Sequence, residues 1–186
     1  MQWVVPALEQ ITQGSIVDGV DWGLGEENPL SIVLSNACDI ENGKCSFLIV
    51  LALLPAQEIL SDTKEYKEKV SMANAKFEIA GKAWKSFCSY LEAFIYNRNV
   101  CRYYFFDPQP VVDAPPFVVD FQMIKSMDYS EIGVLENLGQ LCSPFVEQMV
   151  MHFAGYVSRI PSDRVEESQK EEYIRELAGK YRRSVG

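Results

Sequence analysis

The sequence predicts an α+β fold, a small curled β barrel with a helical insertion and C-terminal helices. Three short apolar runs lie close together near the N-terminus, which is typical of a small curled sheet. Apolar residues at helical spacing follow in the middle of the chain, and two further β-rich runs come after them. We therefore expect one domain over residues 1–186, with its barrel formed by 11–55 and 101–125.

The first barrel segment contains three predicted strands. They cover residues 14–17, which open from a turn, and the apolar runs 30–34 and 47–54. The second run ends abruptly in small and polar residues, so Cys38 and Asp39 are expected in a loop at its end. Loops on a rigid scaffold are where functional sites usually lie.

Residues 56–100 are predicted to form the helical insertion. Thr63 lies in a group of capping residues before a helical region over about 63–97, and Gly81 is expected to divide that region. The segment from Trp84 onward is rich in aromatic residues, so we expect it to pack on the barrel.

Two predicted strands complete the barrel. Residues 101–106 consist largely of strong β formers, and 117–124 form another apolar run. Between them, four prolines in 107–116 exclude a helix.

The remaining chain, residues 130–182, is predicted to be helical. A connector helix is expected over 130–141 and a second helix from Ser143 to about Ser158, with Pro144 in its first turn. A last helix is expected over about 163–182.

The charge of the chain limits its partners. The formal net charge is −9, and no Lys or Arg occurs before Lys44. A surface of this sign repels phosphate backbones, so the sequence disfavours nucleic acid and favours a protein partner with a basic surface. No apolar stretch reaches the roughly 18 residues that a membrane span needs.

The cysteines indicate a reducing compartment. Their number is odd, they are widely spread and none forms a C-x-x-C pair; they are Cys38, Cys45, Cys88, Cys101 and Cys142. The N-terminus lacks the basic region and apolar run of a signal peptide. We therefore expect free thiols and a cytoplasmic protein.

Residues 13–54 resemble the bacterial PemK-like growth-inhibitor toxins. The matching pieces are Gly14-Ser15-Ile16-Val17 and Ile32-Val33-Leu34-Ser35, followed by the apolar strand 47–54. The resemblance implies an SH3-like barrel. The segments 35–40 and 141–145 also look like uncharacterised bacterial proteins of related architecture, which implies a mobile-element or phage-defence setting.

The chain departs from these toxins where their chemistry lies. The toxins cleave RNA and need a cation near the early loop, but residues 18–31 contain no Lys, Arg or His. No Ser or Thr occurs from 47 to 60, and Ser15 replaces the usual Asp. The early loop carries four acidic residues instead, Asp18, Asp21, Glu26 and Glu27. This implies a barrel of that type without catalytic residues.

Three functions remain open at this stage. The residues favour a non-enzymatic binding subunit of a bacterial conflict or phage-defence complex, with no cofactor. The first alternative is an endoribonuclease toxin with relocated catalytic residues. The second is a metal-binding protein using Cys38, Asp39 and Cys45. The sequence leaves the partner and the oligomeric state open.

Several residues are candidates for binding, each with a structural alternative. They are Cys38, Asp39, Asp18, Asp21, Glu26, Glu27, Arg102 and Asp120. Cys38 is alternatively a small buried residue, with Asp39 capping the following turn. Asp120 lies in an apolar run and needs a partner there, which an ion pair with Arg102 would supply. His152, the only histidine, is expected to border an apolar helix face and to hydrogen-bond locally.

We predict that all five cysteines are free. Thiol titration of the denatured, non-reduced protein should find five thiols, and a smaller number would contradict the cytoplasmic assignment.

Overall fold

The computed structural model describes residues 2–25, 28–73, 79, 81–98 and 102–158. The chain divides into two compact units, residues 1–156 and 157–186. Nearly all described residues belong to the first unit, and the predicted helix over about 163–182 lies outside them. None of the described helices combines the length and the apolar character that crossing a membrane requires.

The described residues form seven strands and five α-helices, so the mixed α and β class is confirmed. The strands are β1 (Val4–Val5), β2 (Ser15–Asp18), β3 (Ser31–Val33), β4 (Phe47–Pro55), β5 (Tyr103–Phe106), β6 (Phe117–Asp128) and β7 (Glu136–Leu141). The helices are α1 (Ala37–Glu41), α2 (Ala56–Asp62), α3 (Lys64–Val70), α4 (Gly81–Ile95) and α5 (Phe145–Val157), and a 3₁₀ helix covers Tyr129–Val134.

All seven strands belong to one curled antiparallel sheet with the order β1-β7-β2-β3-β4-β6-β5. Its longest strand pair is the β4–β6 ribbon, which carries a register shift between Leu51 and Ala52. The predicted barrel segments 11–55 and 101–125 therefore omit β1, β7 and the last residues of β6.

From Val50 to Leu53, β4 buries apolar side chains on both faces of the sheet. Phe47 and Ile49, at the start of the same apolar run, are exposed. On one face, Leu51 and Leu53 join a core that includes Tyr104 and Phe121. On the other face, Leu48 and Val50 join a second cluster that α1 and the 3₁₀ helix help to cover.

Helix α5 covers part of the first face. Its first residue, Phe145, lies 4.4 Å from Trp3 between ring centroids, and its carbonyl accepts a hydrogen bond of 3.1 Å from the Tyr104 hydroxyl. Further along, Phe153 contacts Phe121 edge to face at 5.6 Å. The predicted helix after Pro144 is confirmed.

The predicted connector helix over 130–141 is wrong beyond its first turn. A 3₁₀ helix ends at Val134, and β7 follows as an inner strand between β1 and β2. Leu135, Leu138 and Leu141 repeat every three residues, which resembles a helical pattern. Gly139 indicates the strand instead, since a Cβ at this position would lie 3.0 Å from the Val4 side chain.

Between β4 and β5, the described residues include the helices α2, α3 and α4. Thr63 caps α3 by accepting the Tyr66 N–H, and Gly81 begins α4 with φ +61°. The packing prediction is wrong for Trp84, which is 49% exposed. The end of α4 does reach the sheet: the ring centroids of Phe94 and Phe105 are 6.0 Å apart.

Asn97 blocks one edge of the sheet. β5 is an edge strand, and the Asn97 amide accepts the Phe105 N–H at 2.7 Å and donates to the Phe105 carbonyl at 2.8 Å. The side chain thus stands in for a neighbouring strand, while its own backbone adopts φ +50°. Exposed edges invite pairing with other chains, and this contact occupies the backbone groups of Phe105 on that edge.

We predict that Asn97→Ala lowers the free energy of unfolding by about 2–3 kcal/mol. The change removes two hydrogen bonds of about 1 kcal/mol each, and it replaces Asn, which tolerates positive φ, with Ala, which tolerates it less well. Asn97→Gly is the matched control, since it keeps the backbone conformation and should lose about 1–2 kcal/mol. Equal urea midpoints for Asn97→Ala and the wild type would show that the edge contact contributes nothing.

Candidate functional site

Cys38 and Asp39 lie on a short helix. The Asn36 side chain accepts the Cys38 N–H at 2.9 Å and caps α1, whose buried residue Ile40 anchors it to the second core cluster. The prediction of a loop is therefore wrong, because Asn36 starts a helix where the strand ends. The alternative is wrong too: Cys38 is exposed, and Asp39 lies in the first turn while Asn36 makes the cap.

Cys45 is engaged locally. Its thiol contacts the Phe47 carbonyl with an Sγ–O distance of 2.8 Å. Within the described ranges, no group of three or more His, Cys, Asp or Glu side chains is placed to hold a metal ion. Cys38, Asp39 and Cys45 thus do not form such a group.

Polar side chains make local hydrogen bonds in the described part of the early acidic loop. Asp21 accepts the Gly23 N–H at 2.8 Å, and Asn28 accepts the Trp22 N–H at 2.9 Å. The pKa of Asp21 is lowered, first by the Gly23 N–H, then by Asn28 and by the charge of Lys125. Asp18 and Asp21 are exposed, as predicted, whereas Glu26 and Glu27 lie outside the described residues.

Asp18 lies directly opposite another acid. In the β2–β7 pair its partner is Glu136, and both residues are exposed. Like charges directly opposite each other destabilise a sheet, although water screens them here. Asp18 also accepts the Gly19 N–H at 2.6 Å.

This pair belongs to a larger acidic region, which we call the acidic half. Residues 1–43 and 126–158 contain no Lys or Arg. Their acidic residues are Glu9, Asp18, Asp21, Glu26, Glu27, Asp39, Glu41, Asp128, Glu131, Glu136 and Glu147. β7 lies between β1 and β2, so strands from both segments form one side of the sheet. The sequence alone shows that residues 126–158 contain no Lys or Arg. Only the sheet order shows that this segment lies beside residues 1–43.

A groove of about 490 Å³ opens within the acidic half. The segment before β2, α1 with its following turn, and the 3₁₀ helix form its walls. It is lined by Glu9, Gln10, Ile11, Ile40, Glu41, Gly43, Tyr129 and Ile132. None of these was a candidate in the sequence, because the groove depends on three segments that are distant along the chain.

Arg102 and Asp120 form the predicted ion pair. Arg102 Nε lies 2.6 Å from Oδ1 and Nη2 lies 2.5 Å from Oδ2. The Asp120 side chain is 0% exposed and the Arg102 side chain 40%. Oδ1 also accepts the Gln122 N–H at 3.0 Å, and the hydrogen bond to Asp120 raises the pKa of Arg102. Because Asp120 is buried and its oxygens are occupied, the geometry favours a structural role; a binding role stays a prediction.

His152 lies against Tyr104, with 5.5 Å between ring centroids. Its Nδ1 is buried and has no hydrogen-bond partner, contrary to the expected local bond. Burial lowers the pKa of His152, because the charged ring loses hydration there.

Comparison with known proteins finds no matching family model and no matching curated protein.

We predict that Arg102→Met is more destabilising than the double change Arg102→Met with Asp120→Val. The single change leaves a buried carboxylate without its cation, and we expect a loss of about 2–4 kcal/mol in the free energy of unfolding. The double change removes the carboxylate as well, so part of this loss should be recovered. Urea unfolding of both variants checks the order, and the reverse order would contradict the structural role.

We predict that His152 makes the protein less stable as the pH falls from 7.5 to 5.5. In the unfolded chain, the histidine has a pKa of about 6.5. The folded pKa is lower, so the unfolded state binds more protons below that pH and the free energy of unfolding decreases. Carboxylates with a lowered pKa, such as Asp21 and Asp128, change the free energy of unfolding only at more acidic pH. His152→Gln should flatten the dependence over this range; an unchanged slope would contradict the assignment.

Proposed function

We propose that this chain is a non-enzymatic binding subunit whose acidic half docks a protein partner with a basic surface. The observation that carries the proposal is the separation of charge in the fold. The side of the sheet that contains β1, β7, β2 and β3 comes from segments without Lys or Arg. All nine described cations lie in residues 44–125, and one of them, Lys125, reaches the acidic half through its hydrogen bond to the Asp21 carbonyl.

Electrostatics supports a basic partner over nucleic acid. A surface of one sign attracts the opposite sign over a distance of about a Debye length and speeds association. The same field repels phosphates. The register that pairs Asp18 with Glu136 fits this proposal, since a partner's cation placed near these two acidic residues would be attracted by both.

The finer fold and the setting are part of the proposal. The turn at Gly14 supports an SH3-like barrel related to the PemK-like toxins. Gly14 has φ +85°, and a Cβ there would lie 2.8 Å from the Gln140 side chain. A bacterial conflict or phage-defence complex follows from the sequence resemblance alone. A cytoplasmic location is supported by the four described cysteines, all free thiols.

One observation bears on the ribonuclease alternative. Lys125 of β6 donates a hydrogen bond to the Asp21 carbonyl, which brings a cation to the early loop where the toxins need one. Asp21 lies beside that ammonium group and offsets its charge. Incubation with total RNA tests this alternative: sequence-limited cleavage that Lys125→Met abolishes would overturn the binding-subunit proposal.

The main prediction concerns charge removal from the acidic half. The test variant is Asp18→Asn, Glu131→Gln, Glu136→Gln, and we expect it to keep the wild-type unfolding midpoint because all three residues are exposed. Tagged protein is used to capture partners from a lysate of the cells in which this chain naturally occurs. Association with the captured partner is then measured at low and high salt. The variant should associate with the captured basic partner more slowly than the wild type, and the difference should shrink at high salt.

A matched control removes the same charge elsewhere. Glu58→Gln, Glu65→Gln, Asp113→Asn neutralises three exposed acids outside the acidic half and gives the same net charge. This control should bind at the wild-type rate. If the control and the test variant slow binding equally, only the net charge matters and the acidic half is not the docking surface.

A further inference from the structure

We propose that the groove between Glu9 and Glu41 receives an arginine side chain of the partner. This inference rests on the proposed function and names the point on the acidic half where a basic partner inserts. The groove, of about 490 Å³, falls within the size range of pockets that bind small groups, about 300–1,000 Å³.

The walls of the groove carry two carboxylates from different segments. Glu9 comes from the chain before β2, and Glu41 from the last position of α1. Both residues are exposed, and neither forms an ion pair with any cation among the described residues. The groove therefore has negative charge that the described part of the chain does not neutralise.

The floor of the groove is apolar. Ile40 is 6% exposed, and Ile11, Tyr129 and Ile132 pack against the same core cluster. The Tyr129 N–H donates to the Ser46 carbonyl at 3.0 Å, which fixes the start of the 3₁₀ helix. An apolar floor with acidic walls fits a side chain that has an aliphatic stem and a cationic head.

Arginine fits this lining better than lysine or a metal ion. Its planar guanidinium has five donors that can serve two carboxylates, and it stacks on aromatic rings such as Tyr129. Two carboxylates are too few to fill the coordination sphere of a divalent cation such as Ca²⁺, which takes six to eight oxygen ligands.

The test is a titration of the isotope-labelled full chain with the blocked peptide acetyl-Gly-Gly-Arg-Gly-Gly-amide, followed by amide NMR. We expect shifts at Glu41, Gly43, Tyr129 and Ile132. Glu9→Gln with Glu41→Gln should weaken binding about fivefold to tenfold, since each exposed ion pair contributes little by itself. Asp18→Asn with Glu136→Gln should weaken it less than about twofold, because neither residue lines the groove.

Several outcomes would contradict the proposal that the groove receives an arginine side chain. Shifts spread over the acidic half, or equal weakening by both double variants, would show diffuse charge attraction without insertion. Equal affinity for the matched peptide acetyl-Gly-Gly-Lys-Gly-Gly-amide would contradict guanidinium recognition. The same shifts with Ca²⁺ alone would indicate a cation site and contradict the arginine proposal. In another outcome, the peptide fails to bind while partner capture still depends on Asp18, Glu131 and Glu136. That result would contradict the arginine site in the groove and would leave the proposed function standing. Partner capture insensitive to those three residues would overturn the proposed function itself.

Discussion

The buried amide of Gln140 holds together the side of the sheet on which the proposed function depends. Gln140 lies on β7, opposite Val5 of β1 and Ser15 of β2. Its carbonyl accepts the Ser15 hydroxyl at 2.9 Å, and its NH₂ donates to the Gln13 carbonyl at 2.7 Å. Each of these buried polar groups needs its partner, because leaving one unpaired costs about 1–3 kcal/mol. An apolar residue at this position would therefore not be equivalent, even though the site is buried.

The position of β7 has an electrostatic consequence. Two segments without cations, far apart in the chain, become neighbours only because β7 pairs with β1 and β2. The same pairing places Glu136 opposite Asp18 and brings the 3₁₀ helix toward Gly19, where a Cβ would lie 2.9 Å from the Val134 carbonyl. The fold thus tolerates a concentration of negative charge that water must screen, and a basic partner would replace that water.

The sequence predicts an element of this structure when the residues of that element alone carry the signal for it. β4 was predictable from its long apolar run, and α5 was predictable from apolar residues at helical spacing. β7 was not, because its leucines repeat every three residues and its burial depends on two strands from the other end of the chain. The pairing of Arg102 with Asp120 was predictable, since a carboxylate in an apolar strand needs a cation nearby. The groove was not, because no single segment contains both an apolar floor and acidic walls.

Hydrogen–deuterium exchange of the chain, free and bound to its captured basic partner, shows directly whether the acidic half is the docking surface. We expect slower exchange in the bound state around Glu9, in α1 and the turn after it, and in the 3₁₀ helix, because the partner covers the acidic half. We expect little change in α2, α3 and β5. Protection confined to those three elements would contradict the acidic half as the docking surface.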